Sequence, residues 1–359
     1  MKGEANAALW RLQAKGKRMK ALKYLRSLAL GAAGFALAAS ALTGEALALD
    51  KVSFGTNWLA EAEHGGFYQA VADGTYKKYG LDVTIVQGGP QAANQALLMA
   101  DKIQFYMQGN LIGDFSAVEQ GVPVMEVAAV FQKDPQGFLA HPDAGATSLG
   151  DLSKAPVIYM GKEVYANAFQ WIKANFKGFK DEQYRPYTFS PAPFLANKDS
   201  AQQAYVTSEP YEIEKQAGWK PKVFLFADAG FSTYSEMIEA KVDYVAKNPD
   251  IVQRFVDATT VGWYNYLYGD NKAANDLIKK DNPDMTDGQI AYSIKAMKDS
   301  GLLESGDALT KGIGCMTDAR VKDFYGKMVK AGVVKADLDV SKIYTTRFVC
   351  KGVGMDIKK

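Results

Sequence analysis

Glu209 is the side chain whose type and placement could do the sharpest chemistry in this chain. It stands at a predicted helix start, with Pro210 suited to the first helical position. A carboxylate there can accept two hydrogen bonds from one ring edge, one from an amine and one from a protonated ring nitrogen. The alternative is that it only serves the positive end of its helix, worth typically about 0.3–1 kcal/mol. Trp58, Phe67, Tyr68, Tyr106, Tyr165 and Tyr211 fall at or near predicted strand ends and helix starts, where flat faces could sandwich a planar ring. Each is equally an ordinary core residue type. Asn57 offers a donor and an acceptor to such a ring, and His64, mostly neutral above about pH 6.5, can do the same or be structural. Gln108 and Asn110 flank Gly109 behind a predicted strand, in a turn able to present backbone N–H groups. Thr207 and Ser208 can donate to a ligand or cap the helix that follows. No nucleophile and base pair, phosphate loop or metal-ligand spacing is apparent, and His64, His141, Cys315 and Cys350 are scattered. The sequence therefore predicts binding rather than catalysis, with no cofactor and no metal.

These residues lie far apart in the chain, so a fold must gather them. Residues 51–56 and 81–87 read as strands from the alternation of Val52 with Phe54 and of Val83 with Ile85. Helices are predicted over 66–79, 91–100 and 112–120, with further strands over 103–107 and 124–131. That alternation predicts an α/β fold with a largely parallel sheet flanked by helices. A second set follows, with strands over 138–141, 157–160, 187–189 and 222–226 and helices over 163–176, 193–198 and 209–217. Residues 234–239 read as a segment crossing back, and long helices follow over 249–268, 271–280, 286–300 and 318–331. Gly65-Gly66 is the place where a backbone could approach something closely.

The first 48 residues read as an export signal. Lys15, Lys17, Arg18, Lys20, Lys23 and Arg26 precede an apolar run from Leu28 to Leu42, and Ala46-Leu47-Ala48 makes a small-residue cleavage site. That run of about 15 residues is short for a membrane span, which needs about 20. Residues 1–18, ahead of Met19, read as an over-extended start. The leader holds eight of the chain's 42 basic residues and two of its 40 acidic ones, which leaves 34 and 38, a net charge of −4. A mildly acidic mature chain gives no reason to expect nucleic acid or an anionic membrane as partner. No cysteine sits near the cleavage point to carry a lipid, so a soluble periplasmic protein is expected. Cys315 and Cys350 either pair, closing 35 residues for about 4 kcal/mol on the chain-entropy view, or remain two buried thiols.

The block from Asn57 to Tyr68, the run Tyr205-Val206-Thr207-Ser208-Glu209-Pro210-Tyr211 and the segment Lys280-Asp281-Asn282-Pro283-Asp284 together resemble the solute-binding proteins of ABC importers. The chain is most similar to the branch that binds thiamine-pyrimidine precursors, whose relatives bind sulfonates, taurine and nitrate. The resemblance covers nearly all of the mature chain. It implies a two-lobed periplasmic binding protein of type 2, with lobe one over 50–135 plus 240–359, lobe two over 136–239, and the ligand cleft between them. It implies a monomer that captures a small planar ligand, a thiamine pyrimidine precursor, and delivers it to an ABC permease in the inner membrane. Sulfonate, taurine, nitrate and riboflavin are the alternative ligands. Fungal relatives make the pyrimidine from a histidine and pyridoxal phosphate, but the cysteine-rich run they carry is not found here.

Overall fold

The computed structural model describes residues 48–358. The export signal and the over-extended start lie outside the described residues, apart from Ala48. Among the described residues no helix is long and apolar enough to cross a membrane. Ten strands form two five-stranded sheets. In the first, β1 (Asp50–Gly55) pairs in parallel with β2 (Leu81–Val86) and β3 (Phe105–Asn110), β4 is Val124–Phe131, and the order is β2-β1-β3-β10-β4. The second uses β5 (Gln136–Ala140), β6 (Val157–Met160), β7 (Tyr184–Pro186), β8 (Ser200–Tyr205) and β9 (Lys222–Leu225) in the order β7-β6-β8-β5-β9. The last strand, β10 (Ser235–Lys241), returns to the first sheet.

Each sheet carries one antiparallel insertion, and in each case it is the strand made just after the chain arrives from the other sheet. β10 runs antiparallel between β3 and β4, and β5 runs antiparallel between β8 and β9. The crossings are short, from Phe131 to Gln136 and from Leu225 to Ser235. The segment read as a crossing over 234–239 is thus a central strand, and the lobe boundary placed at 239/240 falls inside it. The chain is already in the first sheet at Ser235 because its backbone pairs there with Asn110 and Phe131. The predicted strand over 187–189 lies one step earlier, at β7. Pro186 ends that edge strand, where a missing N–H is tolerated, and Phe189, at φ 58°, turns the chain outward.

Gly65 and Gly66 do permit a close approach, and the partner is another helix. A Cβ on Gly66 would stand 2.2 Å from Cγ of Trp263, one on Gly65 2.0 Å from Cε1 of Tyr266, and one on Gly262 2.4 Å from the Gly66 carbonyl oxygen. Helix Gly65–Ala72 therefore packs almost backbone to backbone on helix Pro249–Tyr268. Phe67 belongs to that seam, stacked on Phe54 at 4.2 Å and edge-on to Trp263 at 6.2 Å. Gly66→Ala is expected to destabilise the protein by about 1–3 kcal/mol or more, since the added methyl meets the rigid, buried indole of Trp263 rather than a flexible chain end. Denaturant unfolding of the variant checks this, and an unchanged midpoint would contradict the packing.

The structure has the bridge between Cys315 and Cys350, whose Cα atoms are 4.5 Å apart. It pins the C-terminal segment beside the first sheet. Ala129 on β4 donates to the Gly314 carbonyl at 3.0 Å, and Glu126 donates through its backbone N–H to the Ile343 carbonyl at 2.8 Å.

Candidate functional site

The loop leaving β1 is held rigid before it presents anything. Thr56 is fully buried, its hydroxyl donates to the Trp58 carbonyl at 2.8 Å and accepts from the Gly88 N–H at 2.9 Å, and Asn94 donates to the Thr56 carbonyl at 2.9 Å. On that support Asn57 points its amide N–H to Oε2 of Glu236 at 3.0 Å, while its Oδ1 faces Nε2 of His64 at 3.3 Å. The pairing is consistent with His64 as donor through Nε2 to Oδ1 of Asn57. Burial holds the His64 pKa down, at about 3, so the ring is neutral at ordinary pH and serves to orient Asn57. Glu236 stands at the head of β10 with φ 47°, a left-handed conformation unusual for a glutamate. Such strain persists only where surrounding contacts hold it, and it concentrates at functional sites.

Glu209 opens helix Glu209–Ala217, as expected, with Pro210 behind it. Its Oε2 accepts from the Tyr205 N–H at 2.8 Å and its Oε1 from the Tyr187 hydroxyl at 3.2 Å. Burial raises its pKa to about 7, and these hydrogen bonds moderate the rise. Glu209 therefore combines both readings: it ties the end of β8 to its helix and keeps lone pairs for a ligand. Two carboxylates not singled out in the sequence stand with it. Glu61 has its pKa raised by burial first and then by the charges of Glu63, Glu236 and Glu209. Glu63 is almost fully buried, and its Oε1 lacks a partner. So Glu61 and Glu63 from the β1 loop, Glu236 from the returning strand and Glu209 from the second sheet feel one another across the space between the sheets. None of the four forms an ion pair with a lysine or arginine among the described residues. Beside them Trp58 from the first sheet meets Phe189 from the second at 5.3 Å, and Phe189 meets Tyr187 at 5.4 Å. Phe189 is 62% exposed, so this aromatic bridge faces solvent at its outer end.

Residues 61–274, more than half of the chain, match the family described as NMT1/THI5 like. This chain belongs to the NMT1/THI5-like family. It is similar to the riboflavin-binding protein RibY of Chloroflexus aurantiacus, 24% identical over 314 residues that cover 85% of this chain and 87% of that protein. Among solved structures it resembles the periplasmic aliphatic sulphonate binding protein SsuA from Escherichia coli, with a TM-score of 0.60, 14% identity, and coverage of 83% of this chain and 92% of that one. It also resembles the periplasmic nitrate-binding protein NrtA from Synechocystis, with a TM-score of 0.54, 12% identity, and coverage of 84% and 87%. These likenesses establish the periplasmic binding protein fold, two α/β lobes with a cleft between them.

In this NMT1/THI5-like chain Asn57, Trp58, His64, Thr207 and Glu209 come to the space between the sheets or directly support it. Thr207 is fully buried, with its Oγ1 lacking a partner, and its carbonyl accepts from Ser293 at 2.7 Å and Gln289 at 2.9 Å. Gln108 and Asn110 lie within the end of β3 rather than in a turn. Asn110 is committed on both sides, capping helix Leu111–Glu119 through the Ile112 N–H at 3.1 Å and donating to Asp134 at 3.4 Å. Gln108 accepts from the Gly109 N–H at 2.9 Å.

The other aromatics have other partners. Phe67 is in the helix seam, and Tyr68 donates to Asp281 at 2.8 Å. Tyr165 stacks on Tyr184 at 4.4 Å and donates to Asp181 at 3.0 Å, while Tyr211 packs on Tyr292 at 5.5 Å. Tyr106 is in the first sheet beside Glu239. These five residues are engaged by different elements of the fold, so they do not gather into one sandwich. Glu61, Glu63, Glu236, Tyr187 and Phe189 were missed. Glu61 and Glu63 stood in the quoted N-terminal block, and their spacing of two beside Asn57 was the available signal; Glu236 carries none, because its partner Asn57 is 179 residues away.

Proposed function

We propose that this NMT1/THI5-like protein is the periplasmic solute-binding component of an ABC importer and that it captures a small planar ligand rich in N–H donors, a thiamine pyrimidine precursor. The observation that carries this reading is the convergence of Glu61, Glu63, Glu209 and Glu236 beside the Trp58–Phe189 pair, with no lysine or arginine ion-paired to them among the described residues. A partly desolvated cleft lined with carboxyl groups suits amines and protonated ring nitrogens, which favour the charged carboxylates, and lacks, among the described residues, the arginine that suits sulfonate and nitrate. The fold shared with SsuA and NrtA supports delivery of the solute to a permease in the inner membrane, with two lobes, one built on each sheet, closing as a monomer. Among the described residues no lysine pairs with the four carboxylates, and the carboxylates themselves favour binding of an amine over synthesis of the pyrimidine. Similarity to RibY supports riboflavin as the second reading, since a flat tricyclic ring also suits the aromatic pair.

A thermal-shift screen against hydroxymethylpyrimidine, its formylamino precursor, thiamine, riboflavin, taurine, an alkanesulfonate and nitrate tests this. Stabilisation by a pyrimidine is expected, and stabilisation by sulfonate or nitrate alone would overturn the reading. Glu61→Gln is the sharper variant, because the Glu61 backbone carbonyl, which accepts from the His64 N–H at 3.0 Å, is untouched by a change confined to the side chain. It is expected to weaken the pyrimidine by about 1–3 kcal/mol in titration calorimetry while leaving folding intact. Unchanged affinity would remove Glu61 from the site.

A further inference from the structure

A second group of carboxylates lies inside the first sheet, apart from the four in the cleft. Tyr106, Glu239 and Glu126 are direct cross-strand partners on β3, β10 and β4, so their side chains share one face. Asp114, on helix Leu111–Glu119, meets them there, and one carboxylate oxygen from each of Asp114, Glu126 and Glu239 lies within 4.8 Å of the other two. Asp114 is 1% exposed and the two glutamates are 0% exposed. All six carboxylate oxygens lack a hydrogen-bond partner. Gln95 and Gln108 lie near Glu239 without closing a hydrogen bond to it. Leu98, Ala117 and Val124 make a small apolar cluster of their own that includes Tyr106 at its edge.

Like charges directly opposite on neighbouring strands are destabilising, and a buried carboxylate with no partner is among the most costly groups a core can hold. None of the three forms an ion pair with a lysine or arginine among the described residues. Three orphaned carboxylates facing one point are the donor set of a hard cation, which prefers oxygen ligands. Oxygens within 4.8 Å of one another can all be reached by one ion bonding at roughly 2.0–2.6 Å. We propose that Asp114, Glu126 and Glu239 hold a divalent cation of the calcium or manganese class, which fastens helix Leu111–Glu119 to β4 and β10. Water completes its coordination. The site is structural, because it joins a helix to the strand that carries Glu236 without entering the cleft.

The test uses the full mature protein, stripped with a chelator and then exposed to calcium, manganese or magnesium in turn. A rise in the thermal midpoint of several degrees with calcium or manganese is expected. That rise disappears in Asp114→Asn and in Glu126→Gln, both of which unfold without cation at or above the midpoint of the stripped wild type, because each removes a repelling charge. Terbium offers a readout on the wild type that does not depend on a variant folding. Tyr106 beside the site sensitises its emission, and calcium displaces it. Absence of any cation-dependent midpoint in the wild type, together with absence of calcium-displaceable terbium emission, would overturn the proposal and leave the three carboxyls neutralised by protons. A cation effect that survives in Asp114→Asn and Glu126→Gln would also overturn it, since the ion would then sit elsewhere.

Discussion

Raising the pH from about 5 to about 7.5 is expected to lower the stability of the unliganded protein by at least about 3 kcal/mol, against the usual trend for a soluble domain. The cause is the set of buried carboxyls that bring the sheets together. Glu209 and Asp134 both have pKa values raised to about 7 by burial, from ordinary values of 4.5 and 3.8. Such a group keeps its proton in the folded state while the unfolded chain releases it. Its contribution to stability is therefore whole below about pH 4.5 and is lost as the pH rises through about 7, at up to about 1.4 kcal/mol per pH unit. Glu61 and Glu236 are shifted the same way by burial and by their carboxylate neighbours. His64 works in the opposite sense, because burial lowers its pKa to about 3 and the unfolded imidazole gains a proton below about 6.5. One histidine offsets about one carboxyl in the window and leaves a net fall. The trio on the first sheet adds to that fall when no cation neutralises it.

Urea unfolding at several pH values across this window measures the slope. A ligand that donates to Glu61 and Glu236 should flatten it, since it favours their charged forms. Stability that rises with pH between about 5 and 7 would contradict the protonated state of these groups.

The sheet-forming strands were legible because their signal is local. Val52 with Phe54 and Val83 with Ile85 alternate, and they do form adjacent parallel strands with Val52 opposite Val83. Glu209 was legible for the same reason, since a helix start followed by proline is read from two residues. What the sequence could not reveal are contacts between segments nearly two hundred residues apart. Gly65-Gly66 and Phe67 looked like a ligand lip because the helix that they pack on, with Trp263 and Tyr266, comes so much later. The positive φ of Glu236 and Phe189 has no sequence signature in non-glycine residues, yet it aims one carboxylate and one ring at the same space. The aromatic count misled for a physical reason: Tyr68, Tyr165 and Tyr211 each find a polar or aromatic partner within the fold, contacts to distant segments that the sequence does not show.

Replacing Cys315 and Cys350 together by serine is expected to lower the unfolding free energy by about 4 kcal/mol, because the bridge closes a loop of 35 residues in the unfolded chain. The loss should be concentrated where regular structure is sparse. Beyond helix Asp318–Lys330 the described residues make two short 3-10 turns, and they are held by isolated contacts such as Glu126 to Ile343 and Gln253 to Phe348. Those contacts are too few to close the chain cooperatively once the covalent tie is gone. Hydrogen exchange should then open residues 343–352 ahead of β1, β3 and β10, whose hydrogen bonds lie within the sheet. Affinity for the cleft ligand, measured well below the lowered midpoint, should stay near that of the parent, since Asn57, Glu61, Glu209 and Glu236 take no hydrogen bond from the tail. An unfolding free energy equal to that of the bridged protein would show that packing of Ile343 and Phe348 alone holds the tail. A variant that kept its stability but lost the ligand would instead place the tail in the closing of the lobes, and the four carboxylates would no longer suffice as the binding surface.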